Sequence, residues 1–208
     1  MPTSPLFETN VFINCPFDDG YQPLLRAIVF TVLSCGFSAR SAMEENDAGA
    51  VRMDKIKRLI RESRLAIHDI SRTELDVTSG LPRFNMPFEL GLDVGARAFG
   101  NRQLARKKIL IFDRDQYRYQ QFLSDIAGQD ISAHADCITN VMTKVRGWLN
   151  NCQSSGRPLV GADAIEASFI RFTAELPNMC AESQLNQAKL DFGDFVYFAG
   201  AWLGQEAH

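Results

Sequence analysis

Short apolar runs alternate with amphipathic stretches along the first two thirds of the chain. The predicted strands share β-branched and aromatic residues and cover residues 11–15, 37–43, 65–70, 108–112 and 128–133. The predicted helices share apolar residues at three- and four-residue spacing and cover residues 21–35, 51–63, 85–99, 117–126 and 136–150. Alternation with such short connections predicts parallel strands joined by right-handed crossovers.

The remainder of the chain has a different pattern. Residues 152–161 contain Ser, Gly and Pro, which is typical of a linker. Two helices rich in aromatic residues are predicted beyond it, at residues 162–176 and 191–203. We therefore expect an α/β domain in residues 1–150 and a helical extension in residues 151–208 that packs on this domain or on a partner subunit.

Composition and charge limit the classes of partner and of site that we expect for this protein. The chain has 208 residues, of which 46% are apolar and 23% charged, and its net charge is −3. A net negative charge gives no general attraction for duplex nucleic acid, so we expect a small-molecule partner. We find no secretory signal and no apolar run long enough to cross a bilayer. Five cysteines without a CxxC pair predict neither disulfides nor a zinc site, so we expect a reducing, cytoplasmic location.

Ligands of open parallel sheets bind beyond the carboxyl ends of the strands. The predicted strand ends here are acidic. Asp69 ends the third strand, and Glu89 lies in the first turns of the next helix, where helix amides favour an ionised carboxylate. We expect both to face one cleft, as in cleavage of a glycosidic bond, where one carboxylate attacks or stabilises the sugar carbon and the other orients a hydroxyl. An exposed glutamate and an aspartate that caps a turn are the alternatives.

The loop after the first strand supplies binding candidates. Asn14 is placed to bind a ribose or phosphate and Phe17 to cover a base, although an ordinary turn with a packed phenylalanine fits equally well. The full predicted substrate-binding set is Asn14, Pro16, Phe17, Asp18, Glu44, Arg72, Asn85 and Phe88.

Several other chemistries lack their motifs. The chain contains no GxGxxG, GxxxxGK[ST], HExxH or GxSxG pattern, which counts against a dinucleotide-binding dehydrogenase, a P-loop NTPase, a zinc protease and a serine hydrolase. We predict no metal site. His68 should point to the opposite sheet face from Asp69 and is expected to be a core or surface histidine.

Three motifs in the expected order carry a family resemblance. Phe12-Ile13-Asn14-Cys15-Pro16-Phe17, Ile67-His68-Asp69-Ile70-Ser71 and Asn85-Met86-Pro87-Phe88-Glu89-Leu90-Gly91 resemble the nucleoside 2-deoxyribosyltransferase-like group and the related TIR (Toll/interleukin receptor) domains. The resemblance covers roughly residues 10–135. It implies a flavodoxin-like three-layer domain with a mainly parallel five-stranded sheet, followed here by C-terminal helices.

The resemblance also implies an activity. Glu89 takes the place of the glutamate that attacks the sugar or supports cleavage of the nicotinamide bond of NAD, and Asp69 that of the aspartate that orients the sugar. We therefore expect N-glycosidic cleavage of a nucleotide, NAD first, or ribosyl transfer, with a bacterial defence effector as the implied role. No cofactor is expected apart from NAD or a nucleotide as substrate or ligand, and a homo-oligomer is expected. The alternative is a nucleotide-sensing or self-assembling module without turnover.

Overall fold

The computed structural model describes residues 5–45, 47, 49, 51–75, 80–153 and 156–206. Its strands are β1 (Asn10–Asn14), β2 (Ser38–Arg40), β3 (Leu65–Asp69), β4 (Lys108–Asp113) and β5 (Ile131–Ala133). Its helices are α1 (Pro5–Thr9), α2 (Gln22–Ser34), α3 (Arg52–Glu62), α4 (Asn85–Phe99), α5 (Ile138–Cys152), α6 (Ala162–Glu182) and α7 (Phe192–Glu206). Short 3₁₀ helices cover Leu104–Arg106, Arg118–Gln121, Ser124–Ile126 and Gln187–Lys189.

The five strands form one sheet in the order β2-β1-β3-β4-β5, and every neighbouring pair is parallel. All residues of β1 and β3 are buried, because helices cover both faces of the sheet. This order and the two helical layers are those of a flavodoxin-like α/β domain. The predicted fold class is confirmed.

One face of the sheet packs against α2 and α5, and the C-terminal helices extend that core. Ile13 and Ile67 point to this face and join the same apolar cluster as residues of α2, α5, α6 and α7. Phe30 of α2 stacks on Phe172 of α6 with 5.2 Å between ring centroids. The helices of residues 151–208 therefore bury their aromatic residues on the outer side of α2.

The opposite face packs against α3 and α4. Phe12 and Ala66 point to this face and contact Ile56, Leu59 and Ile60 of α3. Strand alternation places successive residues on opposite faces, so Asp69 belongs to the α2 and α5 side and His68 to the α3 and α4 side. This division determines which side chains are able to meet at the sheet edge.

Several predicted boundaries differ from the observed ones. Residues 117–126 form two 3₁₀ helices instead of one α-helix: Tyr117, with a left-handed φ of 62°, precedes the first, and Phe122 and Leu123 leave helical geometry between the two. Helix α6 continues past Pro177 although a helix-interior proline costs about 3 kcal/mol. Leu176 and Cys180, on either side of it, are both buried, and their burial offsets that cost. Helix α1 is absent from the sequence prediction.

The turn after α2 follows its sequence signal closely. Gly36 has a φ of 78°, and its amide donates to Leu33 O while the Phe37 amide donates to Val32 O. These two bonds satisfy the last carbonyls of the helix. Ser154 and Ser155 of the predicted linker lie outside the described residues.

Two further observations concern membrane-spanning helices and the cysteines. In the described ranges, no helix is both long and apolar enough to traverse a bilayer. All five cysteines fall within the described residues and are free thiols, and four of them are buried.

Candidate functional site

A cleft opens at the carboxyl end of the sheet, between the loop after β1 and the starts of α3 and α4. Its volume is about 280 Å³, and its lining consists of Pro16, Phe17, Asp18, Arg52, Arg72, Arg83, Asn85 and Met86. We call this the arginine cleft. Five members of the predicted substrate-binding set lie in it: Pro16, Phe17, Asp18, Arg72 and Asn85.

Glu89 lies immediately behind the cleft wall, one helical turn beyond Asn85 and on the same side of α4. Its side chain is only 4% exposed, and its Oε1 is 3.7 Å from a guanidinium nitrogen of Arg52. Burial raises the pKa of Glu89, and the charge of Arg52 opposes that shift. Arg52 also lies over the Phe17 ring, 5.2 Å from its centroid, so one arginine joins Glu89 to the cleft.

Asp69 lies at the same sheet edge but does not open into the cleft. It is fully buried; its Oδ2 accepts a hydrogen bond from the Tyr21 hydroxyl (2.5 Å) and its Oδ1 one from the Ser71 amide (2.8 Å). His134 Nε2 is 3.1 Å from Oδ2. The expectation of an exposed Asp69 carboxylate is wrong, because residues of the α2 and α5 layer close over it.

The protonation states around Asp69 follow from its contacts. Burial, and then the charge of Asp69, raise the pKa of Tyr21 well above its usual value, so its hydroxyl keeps its proton and donates. His134 Nδ1 accepts from the Asp136 amide at 2.9 Å, which places the proton of the neutral ring on Nε2, facing Asp69. Asp69 thus accepts hydrogen bonds from Tyr21 and Ser71 and has the His134 ring beside it.

The two predicted catalytic carboxylates influence a common neighbour. Burial raises the pKa of the Cys15 thiol well above its usual value, and the charges of Asp69, Asp18 and Glu89 raise it further. A buried thiol with a raised pKa is a poor nucleophile. Cys15 is therefore close enough to both carboxylates to be affected by their charges. Asp69 lies on one face of the sheet, and Glu89 lies on helix α4, which packs on the other face.

A second buried arrangement runs beneath α4. Asn14 Nδ2 donates to His68 Nδ1 at 2.9 Å, which leaves the ring proton on Nε2, 2.9 Å from Asp93 Oδ2. The other oxygen of Asp93 is 3.1 Å from Lys107 Nζ, which also donates to the carbonyls of Ile60 and Ser63 at the end of α3. We call Asn14, His68, Asp93 and Lys107 the buried polar chain. His68 is a core histidine, as one of the two predicted alternatives stated.

The other acidic strand ends are also paired with cations. Glu44 accepts from both Nε (2.9 Å) and a terminal nitrogen (2.6 Å) of Arg40. Asp113 accepts from Arg118 Nε at 2.9 Å, and Arg118 also donates to Ser71 O at 2.7 Å. These charge-assisted hydrogen bonds hold the loops at the carboxyl ends of the strands in place.

Neither predicted catalytic carboxylate lines the cleft, and three members of the predicted substrate-binding set do not line it either. Glu44 is held by Arg40, Phe88 is 58% exposed on α4, and Asn14 is buried beside the cleft, where its Nδ2 lies 3.4 Å from Met86 O. Asn14 Oδ1 has no hydrogen-bond partner among the described residues.

Sequence reasoning missed Arg52, Arg83, Met86, Tyr21 and His134. Two signals were present. Arg52 is the first residue of α3, where the helix dipole disfavours a cation unless something else needs it. His134 directly follows β5, so the strand-end rule points to it as it does to Asp69.

The chain matches no family model, no curated protein and no solved structure. Within the described part of the chain, no group of three or more His, Cys, Asp or Glu side chains is placed to hold a metal ion. The arginine cleft and Glu89 are therefore the features of the molecule from which we infer a function.

Proposed function

We propose that the protein cleaves the N-glycosidic bond of a nucleotide, NAD being the first candidate, or transfers its ribosyl group to another base. The observation that carries the proposal is the position of Glu89. It is a buried carboxylate with a raised pKa, next to an open cleft, and its ion pair with Arg52 is long at 3.7 Å. Desolvated carboxylates beside clefts are typical of catalytic groups.

The chemistry assigned to Glu89 is capture of the sugar. Its carboxylate forms a bond to C1′, or stabilises positive charge there, while the C1′–N bond breaks and its electron pair leaves with the base. With NAD, the pyridinium nitrogen takes this pair and nicotinamide departs neutral. Water then attacks C1′, the bond between C1′ and Glu89 breaks with its electron pair returning to the carboxylate, and the proton of the water goes to solvent; another base in place of water gives transfer.

Asp69 has an indirect part in this proposal. With Tyr21 and Ser71 hydrogen-bonded to its two oxygens, it holds the loop that carries Arg72 into the cleft. Direct contact with a ribose would require displacement of one of these donors, so Asp69 is a positioning residue. Phe17 and Met86 supply apolar surface for the base.

The test is turnover by the purified protein. NAD, nucleosides and nucleoside monophosphates are incubated with it, and released base is measured by chromatography. Glu89→Gln should lower the rate by at least about a hundredfold, because the amide neither attacks C1′ nor stabilises a cation as a carboxylate does. The matched control is Glu182→Gln, an exposed position at the end of α6, which should leave the rate unchanged. Intact substrates throughout, or equal rates for both variants, would refute the proposal.

The pH profile provides a second readout. Only ionised Glu89 can attack, and burial raises its pKa above the ordinary value of 4.5. The rate should therefore rise with pH through this raised pKa and level off above it. A rate that stays constant as pH falls through 4.5 and below would contradict the role of Glu89.

A nucleotide-sensing or self-assembling module is the second candidate. Arg52 stands between Glu89 and the cleft, as it would in a site that binds without turnover. Tyr197 and Ile170 on the C-terminal helices are 71% and 63% exposed, which offers surface for a homo-oligomer. Ligand-induced thermal stabilisation and growth in light scattering, without product, would favour this candidate. The resemblance to defence proteins suggests depletion or sensing of a nucleotide pool in bacteria.

A further inference from the structure

The charge of the arginine cleft is opposite to that of the predicted acidic pocket. Arg52, Arg72 and Arg83 reach its wall from the start of α3, the loop after β3 and the segment before α4. The carboxylate in the lining, Asp18, accepts the Tyr21 amide at 3.1 Å and so holds the start of α2. With three guanidinium groups against one carboxylate, the cavity attracts anions.

The ion pairs of two of these arginines are weak. Arg52 is 3.7 Å from Glu89, and Arg72 is 3.6 Å from Asp136. Both distances exceed the roughly 2.7–3.2 Å of a good N–H···O hydrogen bond. Their planar donor groups therefore stay available to an anion, in contrast to Arg118, which makes close hydrogen bonds to Asp113 and Ser71.

Two helix starts add to the same field. Helices α3 and α4 begin at Arg52 and Asn85, both in the cleft wall, and no side chain caps either helix. The first amides of a helix and the positive end of its dipole favour an anion. An arginine at a helix start, otherwise unfavourable, is explained if that anion comes from a ligand.

The apolar part of the lining and the size of the cavity define the remainder of the ligand. Pro16, Phe17 and Met86 provide apolar contacts beside the three arginines. The volume of about 280 Å³ is at the small end of the range of roughly 300–1,000 Å³ found for ligand pockets. A single nucleotide unit suits this space, with any second nucleotide outside it.

We propose that the arginine cleft is a phosphate subsite that selects nucleoside monophosphate units, free or within a dinucleotide, over unphosphorylated nucleosides. Arg52 and Arg72 bind the phosphate oxygens, and the starts of α3 and α4 face the same charge. This inference rests on the proposed function in placing the sugar toward Glu89, but the binding itself requires no turnover. An anion in the cleft also competes with Glu89 for Arg52.

The test compares each nucleoside monophosphate with its own nucleoside by isothermal titration calorimetry. The panel holds the four common ribonucleotides and nicotinamide mononucleotide. At least one monophosphate should bind tenfold or more tightly than its nucleoside, and Arg72→Gln should weaken it about tenfold to a hundredfold, as for a lost hydrogen bond to a charged group. The matched control is Arg102→Gln, on the exposed loop after α4 at the other edge of the sheet, which should bind like the unaltered protein.

Two further arms separate this inference from the proposed function. Glu89→Gln should bind the monophosphate at least as tightly, because it removes a competitor for Arg52, and affinity should fall between about 0.05 M and 0.5 M salt. Arginine-dependent binding without cleavage supports the subsite and defeats the enzyme proposal. Cleavage by Arg72→Gln with an unchanged KM supports the enzyme proposal and defeats the subsite. The inference is overturned if no monophosphate exceeds its nucleoside, or if Arg102→Gln weakens binding as much as Arg72→Gln.

Discussion

The buried polar chain runs beneath α4, and the arginine cleft lies at the start of the same helix. The two regions differ in how closely their charged groups are paired. In the chain, Asp93 has close partners on both oxygens: His68 at 2.9 Å and Lys107 at 3.1 Å. In the cleft, Arg52 and Arg72 meet their carboxylates, Glu89 and Asp136, only at 3.7 and 3.6 Å. Both regions contain carboxylates and cations, but only the first is closed.

The difference separates structural charges from functional ones. A buried charge without close partners is costly, so a fold that lacks a ligand there satisfies such groups completely. Lys107 does this, since it neutralises Asp93 and also caps the last carbonyls of α3. Long, solvent-accessible ion pairs leave hydrogen-bonding capacity for something else. We therefore expect the buried polar chain to contribute stability and the proposed binding to take place at the cleft.

We expect the largest loss of stability when the buried polar chain loses one of its charged side chains. Lys107→Met leaves Asp93 without its cation, and the free energy of unfolding should fall by about 3–5 kcal/mol, as for a broken buried ion pair. Urea denaturation measures it. Lys108→Met, next along the chain but exposed, should lower it by less than about 1 kcal/mol. Similar small losses for both variants would show that the chain is not a structural unit.

A smaller loss is expected around Asp69. Tyr21→Phe removes one of the two hydrogen bonds that this buried carboxylate accepts, and the free energy of unfolding should fall by about 1.5–3 kcal/mol, the contribution of a hydrogen bond to a charged group. Tyr197→Phe is the control, because its ring is 71% exposed and its hydroxyl should matter by less than about 0.5 kcal/mol. Thermal unfolding by calorimetry distinguishes them, and an unchanged Tyr21→Phe would mean that water replaces the hydroxyl.

The smallest effect is expected at Glu44, which the sequence placed among the substrate-binding residues. Its side chain is 20% exposed and paired with Arg40, so Glu44→Gln should cost less than about 1 kcal/mol. Nucleotide affinity should not change, since Glu44 lies outside the cleft lining. A tenfold weaker affinity in the calorimetric titration would return Glu44 to the binding site and move the boundary between the two regions.

Local signals were sufficient for much of the fold. Buried runs such as residues 65–70 have no polar face, which is the mark of a parallel strand covered on both sides. The predicted helix 21–35 is followed by Gly36, which closes the turn because only a residue that tolerates positive φ does so cheaply. The segment at Arg118 was harder, since its 3₁₀ turns depend on side-chain bonds to Asp113 and to Ser71, and Ser71 is 47 residues away in the sequence.

The sequence by itself determined the order of most elements and the parallel sheet, and it pointed to the carboxyl ends of the strands, where the structure has the arginine cleft. It also singled out Glu89, whose catalytic role stays a prediction. Only the tertiary structure decided which strand-end charges are paired and which face a cavity. Hydrophobic periodicity is a local property, whereas the pairing of Asp69 with Tyr21 and His134, or of Lys107 with Asp93, depends on distances between segments that only packing brings together.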